Sequence, residues 1–341
     1  MPEFLSALLG PEFFQYLIIG LVTGLLYALI ALGYTMVYGI IELINFAHGD
    51  LFMLGSFFAL QLSIWLGAAT ATGAANGAAG TGSVALAILV MLVAAPVFCA
   101  AINVTVDRLV YKPLRSAPKL APLVSAIGVS FVFMNIGVFW MGTYERNFPK
   151  LVPQDNAISS GKPQVKALQV EGSDKEPARR EMSFAITYKD LMVLCVTLPV
   201  MVALTVFVKY TSLGKAMRAT AQNPVAAQLM GINVDRVIAS TFAIGGALAG
   251  VASVVYGLYN NTVGYQMGFQ TGLYAFTSAV LGGIGNIPGA VLGGILIGLV
   301  RSLGSAYAGE QWSEALIFGI LIVILIFRPN GLLGARTREK V

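Results

Sequence analysis

Charge is scarce in this sequence. Of 341 residues, 11% are Asp, Glu, Lys or Arg, against about 25% in an ordinary soluble domain. Hydrophobic residues reach 57%, and the mean hydropathy is +0.79. A soluble protein this apolar would expose large sticky patches and aggregate. The chain therefore reads as an integral membrane protein that crosses the bilayer many times. Histidine occurs once, at His48, which leaves it no partner for a histidine metal cluster, and no second carboxylate–histidine constellation supports a catalytic triad. Cysteine occurs twice, and both Cys99 and Cys195 lie inside apolar runs. They support neither a metal site nor a disulfide framework and read as small buried hydrophobes.

Motifs of soluble catalysis are missing too. No G-x-x-x-x-G-K-[ST] occurs; Gly214-Lys215 lacks both the first glycine and the following Ser/Thr, so no P-loop binds ATP. There is no HExxH, no CxxC and no nucleophile elbow. No cofactor, metal or catalytic residue is assigned. The net charge of +5 comes from basic residues in short loops between apolar runs, a positive-inside pattern rather than a nucleic-acid footprint. Met1 to Gly10 carries no Lys or Arg. The first apolar run is thus expected to be a retained span, not a cleaved signal peptide.

Apolar runs long enough for a helical span, about 20 residues, lie at 13–40, 46–66, 84–106, 120–142, 191–208 and 237–259, and a shorter last span is read at 314–327. The stretch 270–304 is apolar but split by Gly285-Asn286-Ile287-Pro288-Gly289. Each half is short for a span, so the pair reads as two short helices or a re-entrant hairpin. The fold class is all-α: a polytopic transmembrane bundle of about 8–9 membrane helices, in one permease domain over 1–341. Gly67 to Gly82, nearly all Ala, Gly and Thr, reads as a flexible loop. The polar, proline-containing stretch 143–189 must be an exposed loop, with short strands around Val165 to Val170.

Lys and Arg concentrate in 108–119, 209–218 and 328–340. The positive-inside rule places all three in the cytoplasm. Span parity then puts the N-terminus outside, the C-terminus inside and loop 143–189 outside. Arg301 fits awkwardly, since it falls near the external end of an apolar run.

Polar or broken places within the apolar runs are candidates for function, because lipid tolerates exposed backbone and polar side chains only where protein or a cavity covers them. One is the glycine-rich break, with Gly282, Gly283, Gly285 and Asn286; it is either a tight turn or part of a translocation path. The second contains Asn45, His48, Gly49 and Asp50. Asp50 there reads as an N-cap for the second span, or the cluster lines the path. The third is the basic-side segment 209–236. Its Asn223-Pro224 pair starts a short helix that Gly231 ends. Ala226 and Ala227 give that helix a small-residue face suited to a partner's groove.

These segments together resemble a known family. Asn45-Phe46-Ala47-His48-Gly49, then Gly231-Ile232-Asn233-Val234-Asp235-Arg236, then Val280-Leu281-Gly282-Gly283-Ile284-Gly285-Asn286-Ile287-Pro288-Gly289-Ala290, then Phe327-Arg328-Pro329-Asn330-Gly331-Leu332-Leu333-Gly334 occur in the order found in LivH-type permeases of branched-chain amino acid ABC transporters. The resemblance runs from about 14 to 334. It implies a subunit of a bacterial inner-membrane importer for branched-chain or related apolar amino acids. Its partners would be a LivM-like second permease, two cytoplasmic ATPase subunits and a periplasmic substrate-binding protein. The short helix would be the coupling helix, with Arg218, Gln222, Asn223, Pro224, Ala226, Ala227, Met230 and Gly231 engaging the ATPase. Against the family pattern Glu-Ala-Ala-x-x-x-Gly, Val225 stands in place of the glutamate. Amide- or urea-carrying permeases share the broad family. A stand-alone channel or secondary carrier would need an intramembrane charge relay, which so sparse a charge content does not suggest.

Overall fold

The computed structural model describes residues 12–41, 45–67, 81–115, 117–118, 120–160 and 184–334. Within them the chain runs α1 (Phe13–Ile41), α2 (Ala47–Trp65), α3 (Thr81–Val106), α4 (Leu120–Met141), β1 (Arg146–Asn147), β2 (Asn156–Ser160), β3 (Phe184–Thr187), α5 (Tyr188–Tyr210), α6 (Ser212–Gln222), α7 (Pro224–Leu229), α8 (Val234–Asn260), β4 (Thr262–Val263), α9 (Met267–Gly282), α10 (Ile287–Tyr307) and α11 (Glu310–Phe327).

Among the described residues seven helical runs are long and apolar enough to cross a membrane: α1, Val84–Leu114, α4, α5, α8, α10 and α11. The shorter α2 and α9 have 19 and 16 residues, or roughly 28 and 24 Å at 1.5 Å per residue, and are mostly buried between the others. Among the described residues this makes nine helices of a polytopic bundle. In lipid, a helix satisfies its own backbone, which is why apolar runs fold this way.

α1 and α8 form the interior. α4, α5 and α11 turn most of their residues outward, with Phe139, Val202 and Ile326 exposed; that surface suits lipid. α10 lies directly on α1 because small residues meet there. A Cβ added at Gly298 would stand 2.3 Å from Gly24 Cα, and one at Gly294 would stand 2.6 Å from Ala28 Cα. Contact this close replaces the hydrophobic drive that is absent between helices in lipid.

The helices alternate between two ends. At one end Lys112 and Arg115 pair with Asp235 at 2.9 and 2.6 Å, and the Tyr111 hydroxyl donates to Asn45 Oδ1 at 2.8 Å. The backbone N–H groups of Leu332 and Leu333 donate there to Leu281 and Gly282. The described parts of all three basic segments gather at this end. At the far end β1 pairs antiparallel with β4, Arg146 opposite Val263, and Lys189 Nζ donates to the Tyr259 carbonyl. Ser302 Oγ donates to the Tyr16 carbonyl at that end as well.

Several expectations shift. Helix continues past Val106 through a π-turn at Asp107–Tyr111 to Leu114. Arg108 and Lys112 are therefore helical, not loop, and Arg115 closes back on Asp107 at 2.7 Å. α5 starts at Tyr188, three residues before the apolar run, because Thr187 and Asp190 form a reciprocal capping box. Cys99 is buried, but Cys195 lies on an exposed flank of α5. The strands expected around Val165 to Val170 lie outside the described residues; β2 and β3 pair on either side of that gap. Of the expected loop Gly67 to Gly82, residues 68–80 also lie outside them, and Thr81 already opens α3. The split stretch forms two antiparallel helices, of which α10 alone has 21 residues.

Candidate translocation and coupling sites

α2 begins at Ala47, with Phe46 as a cap that makes no side-chain bond. Asp50 thus sits inside the first turn and does not cap it, which corrects that expectation. Its Oδ2 instead accepts from the Ser130 hydroxyl of α4, while Oδ1 has no hydrogen-bond partner among the described residues. Asn45, His48 and Asp50 are all buried. The His48 ring stands edge-on to Tyr34, 4.8 Å between centroids. Tyr111, which holds Asn45, stacks on Phe242 of α8 at 5.4 Å. Gly49 is where α2 and α9 touch: a Cβ there would lie 2.5 Å from the Gly268 carbonyl oxygen and 2.8 Å from Gly272 Cα.

One turn toward the basic end, Phe276 packs on both Phe46 and Tyr34. Tyr34, Tyr38, Asn45, Phe276, Ala279 and Ile284 leave a void of only about 10 Å³ between them. That is about the size of one water probe, so the layer is shut in this conformation.

The break between α9 and α10 is also packed. Gly283 and Gly285 have φ +104 and +88, a region open to glycine at no steric cost. Asn286 Oδ1 accepts from the Gly289 N–H at 3.2 Å, and its Nδ2 donates to the Leu333 carbonyl at 2.6 Å. The end of α1 lies beside it, a Cβ at Gly39 falling 3.2 Å from Gly285 Cα. The structure thus brings the two sets of path candidates together along α9. Gly282, Gly283, Gly285 and Asn286 stand at its basic end, and Asn45, His48 and Gly49 stand further up. The carbonyls freed by the break are covered by the chain itself.

The candidate coupling segment, 209–236, stands apart at the basic end. Asn223 accepts from the N–H groups of Val225 and Ala226, both at 3.0 Å, with Pro224 at the first position. Gly231 ends the turn at φ +82, and Asn233 caps α8. Gln222, Asn223, Pro224 and Ala226 are exposed. Ala227 is buried against its own chain, 4% exposed, whereas Val225, Leu229 and Met230 are 66%, 84% and 83% exposed. The outward face of α7 is therefore one of larger apolar side chains. Arg218 donates to the Lys209 carbonyl at 3.1 Å and so braces α6 against the end of α5.

A third feature escaped the sequence reading. A cavity of about 540 Å³ opens at the far end between α1, α8, α10 and the start of α11. Arg301 projects into it. Its one sequence signal was a lone arginine in an apolar run.

A helical bundle with a cavity at one end, a shut layer of polar and aromatic side chains below it and a capped helix projecting from the other end is the architecture of a membrane permease. The chain matches the family of branched-chain amino acid transport system permease components over residues 16–325, and it belongs to that family. It is 39% identical over 334 residues to the high-affinity branched-chain amino acid transport system permease protein BraD of Pseudomonas aeruginosa, covering 97% of this chain and all of BraD. It is 37% identical to LivH of Escherichia coli, covering 96% and 98%. The LivM permease protein of Escherichia coli matches at 27% over 122 residues, 36% of this chain and 28% of LivM. No solved structure gives a significant match.

Proposed function

We propose that this chain is the membrane-spanning permease subunit of an ATP-driven importer that carries branched-chain or related apolar amino acids across a bacterial inner membrane. The observation that carries the reading is α7. It is a short helix, capped at both ends, held between two membrane spans, with Val225, Leu229 and Met230 facing outward. An isolated helix of this length is unstable in water; a bonded cap at each end and an exposed apolar face suit docking into a cytoplasmic ATPase. Val225 in place of a glutamate makes that contact apolar rather than charged.

The basic end is then cytoplasmic, the N-terminus and the 143–189 loop are external, and the C-terminus is cytoplasmic. The remaining partners are a LivM-like second permease, two ATPase subunits and a periplasmic binding protein. The likeness to LivM supports the first of these. Substrate passes from the far-end cavity through the layer holding Asn45, His48 and Gly49 and past the Gly282, Gly283, Gly285 and Asn286 break, which open as the ATPase closes. Arg218, Gln222, Asn223, Pro224, Ala226, Ala227, Met230 and Gly231 shape or present the coupling surface.

Proteoliposomes test the whole reading. Uptake of labelled L-leucine should require the ATPase subunits and ATP. Uptake that persists with neither would identify a channel or secondary carrier instead.

A further inference from the structure

The far-end cavity is lined by an arginine, Arg301, that belongs to an otherwise apolar helix. Arg301 donates to the Tyr27 hydroxyl, and its guanidinium carbon lies 4.8 Å from the Tyr274 ring centroid and 5.9 Å from that of Tyr27. Tyr274 in turn donates to Glu314 at 2.8 Å. A cation within an apolar helix is expensive and marks a function or a pairing. Its pairing is incomplete: the ion pair with Glu310 is long and partly open. The Glu310 carboxylate comes no nearer than 3.6 Å and is itself 69% exposed. Arginine offers five N–H donors, and the Arg301 side chain keeps 33% of its surface open, within a cavity of about 540 Å³. That volume lies within the range of small-molecule sites, roughly 300–1,000 Å³.

We propose that Arg301 is the carboxylate subsite for a free α-amino acid entering from the far end. Its planar fork matches a carboxylate in bidentate fashion, as a lysine would not. Glu310, also bonded to the Ser305 hydroxyl, receives the ammonium group. A zwitterion carries opposite charges one carbon apart. An arginine and a glutamate held side by side but not closed into a fork offer it both partners at once. Ile19 and Leu26 supply apolar wall for the side chain. The Tyr27 hydroxyl and the Tyr274 ring hold the guanidinium in place, so it is oriented before substrate arrives. This inference rests on the amino-acid import reading and adds the chemical group that the cavity recognises.

Two measurements test it. In the first, the full transporter is reconstituted with partner permease, ATPases and binding protein. Arg301→Gln should lower L-leucine uptake about tenfold, the order expected for losing a charged hydrogen-bonding partner, while ATP hydrolysis stimulated by the loaded binding protein persists. Arg301→Lys should fall between. Uptake by Arg301→Gln within about twofold of wild type overturns the proposal.

The second measurement decides the matter even if that variant fails to assemble. Arg301 is retained, Cys99 and Cys195 are replaced by serine, and Thr23, which lines the cavity, is changed to cysteine. L-Leucine should slow reaction of this cysteine with an impermeant thiol reagent added from outside; leucinol, which lacks the carboxylate, should not. Equal effects of the two, or no effect of either, overturn the proposal. Protection of the introduced cysteine by L-leucine, together with no ATP-driven uptake by the wild-type complex, would sink the import reading and leave the carboxylate site standing.

Discussion

The imidazole of His48 fills the space that a side chain at Gly33 would occupy: a Cβ built there would stand 2.2 Å from Nε2. The pair locks α1 to α2 in the shut layer between the far-end cavity and the basic end. Gly33→Ala should therefore destabilise the bundle by about 1–3 kcal/mol, the ordinary cost of overpacking. His48→Ala should relieve the clash, so the double variant loses less than the two single losses together, with a coupling of about 0.5–3 kcal/mol. Thermal unfolding in detergent reads both. Strict additivity would show that the ring does not sit in that notch.

Arg115 should matter far more than Asp235, although the two are bonded. Asp107 is buried at 1% side-chain exposure, and Arg115 is its ion-pair partner. Removing Arg115 strands a buried carboxylate, which costs about 3–5 kcal/mol. Asp235 is 53% exposed, and an exposed pair is worth at most about 1 kcal/mol. Arg115→Ala should lower the melting temperature sharply, and Asp235→Ala should barely change it. The reverse order would remove Asp107 from the reasoning.

The outward face of α7 gives a split between coupling and stability. Leu229→Asp or Met230→Asp should uncouple ATP hydrolysis from uptake and leave the permease folded. Ala227→Asp should instead destabilise the segment, because that position packs inward. Asn223→Ala should cost about 0.5–2 kcal/mol of local helix stability, visible as faster amide exchange at Val225 and Ala226. Wild-type coupling in Leu229→Asp would rule out α7 as the docking helix.

Much of this was legible in the residues. Spans appear in sequence because lipid demands long apolar runs. The start and stop of α7 appear because Asn-Pro and Gly act locally on the backbone. What did not appear depends on neighbours far away in the chain. The burial of Ala227 follows from how α7 lies on the molecule, not from its own spacing. Asp50 reads as a cap until Ser130, eighty positions on, is placed beside it. The helix past Val106 hides behind basic residues that look like loop, two of which, Lys112 and Arg115, are in fact paired. Arg301 gave a signal that topology alone made awkward. Its meaning came from Tyr27 and Tyr274, which no local pattern ties to it.

Asn286 should behave as a clasp as well as a cap. It serves Gly289 through one atom and Leu333 through the other. Asn286→Ala loses both bonds and should cost about 1–3 kcal/mol. Asn286→Asp keeps the cap but loses the donor, and should fall between. Exchange of the Leu332 and Leu333 amides measures whether the tail has loosened. Unchanged exchange in Asn286→Ala would show that the tail holds without it.

The tail that covers α9 has a consequence for biosynthesis. Among the described residues the carbonyls of Leu281 and Gly282 accept from the N–H groups of Leu332 and Leu333, some fifty residues later in translation. Until α10 and α11 have entered the bilayer, α9 remains an unfinished edge with open acceptors. The seal forms only when the segment after α11 folds back onto the end of α9.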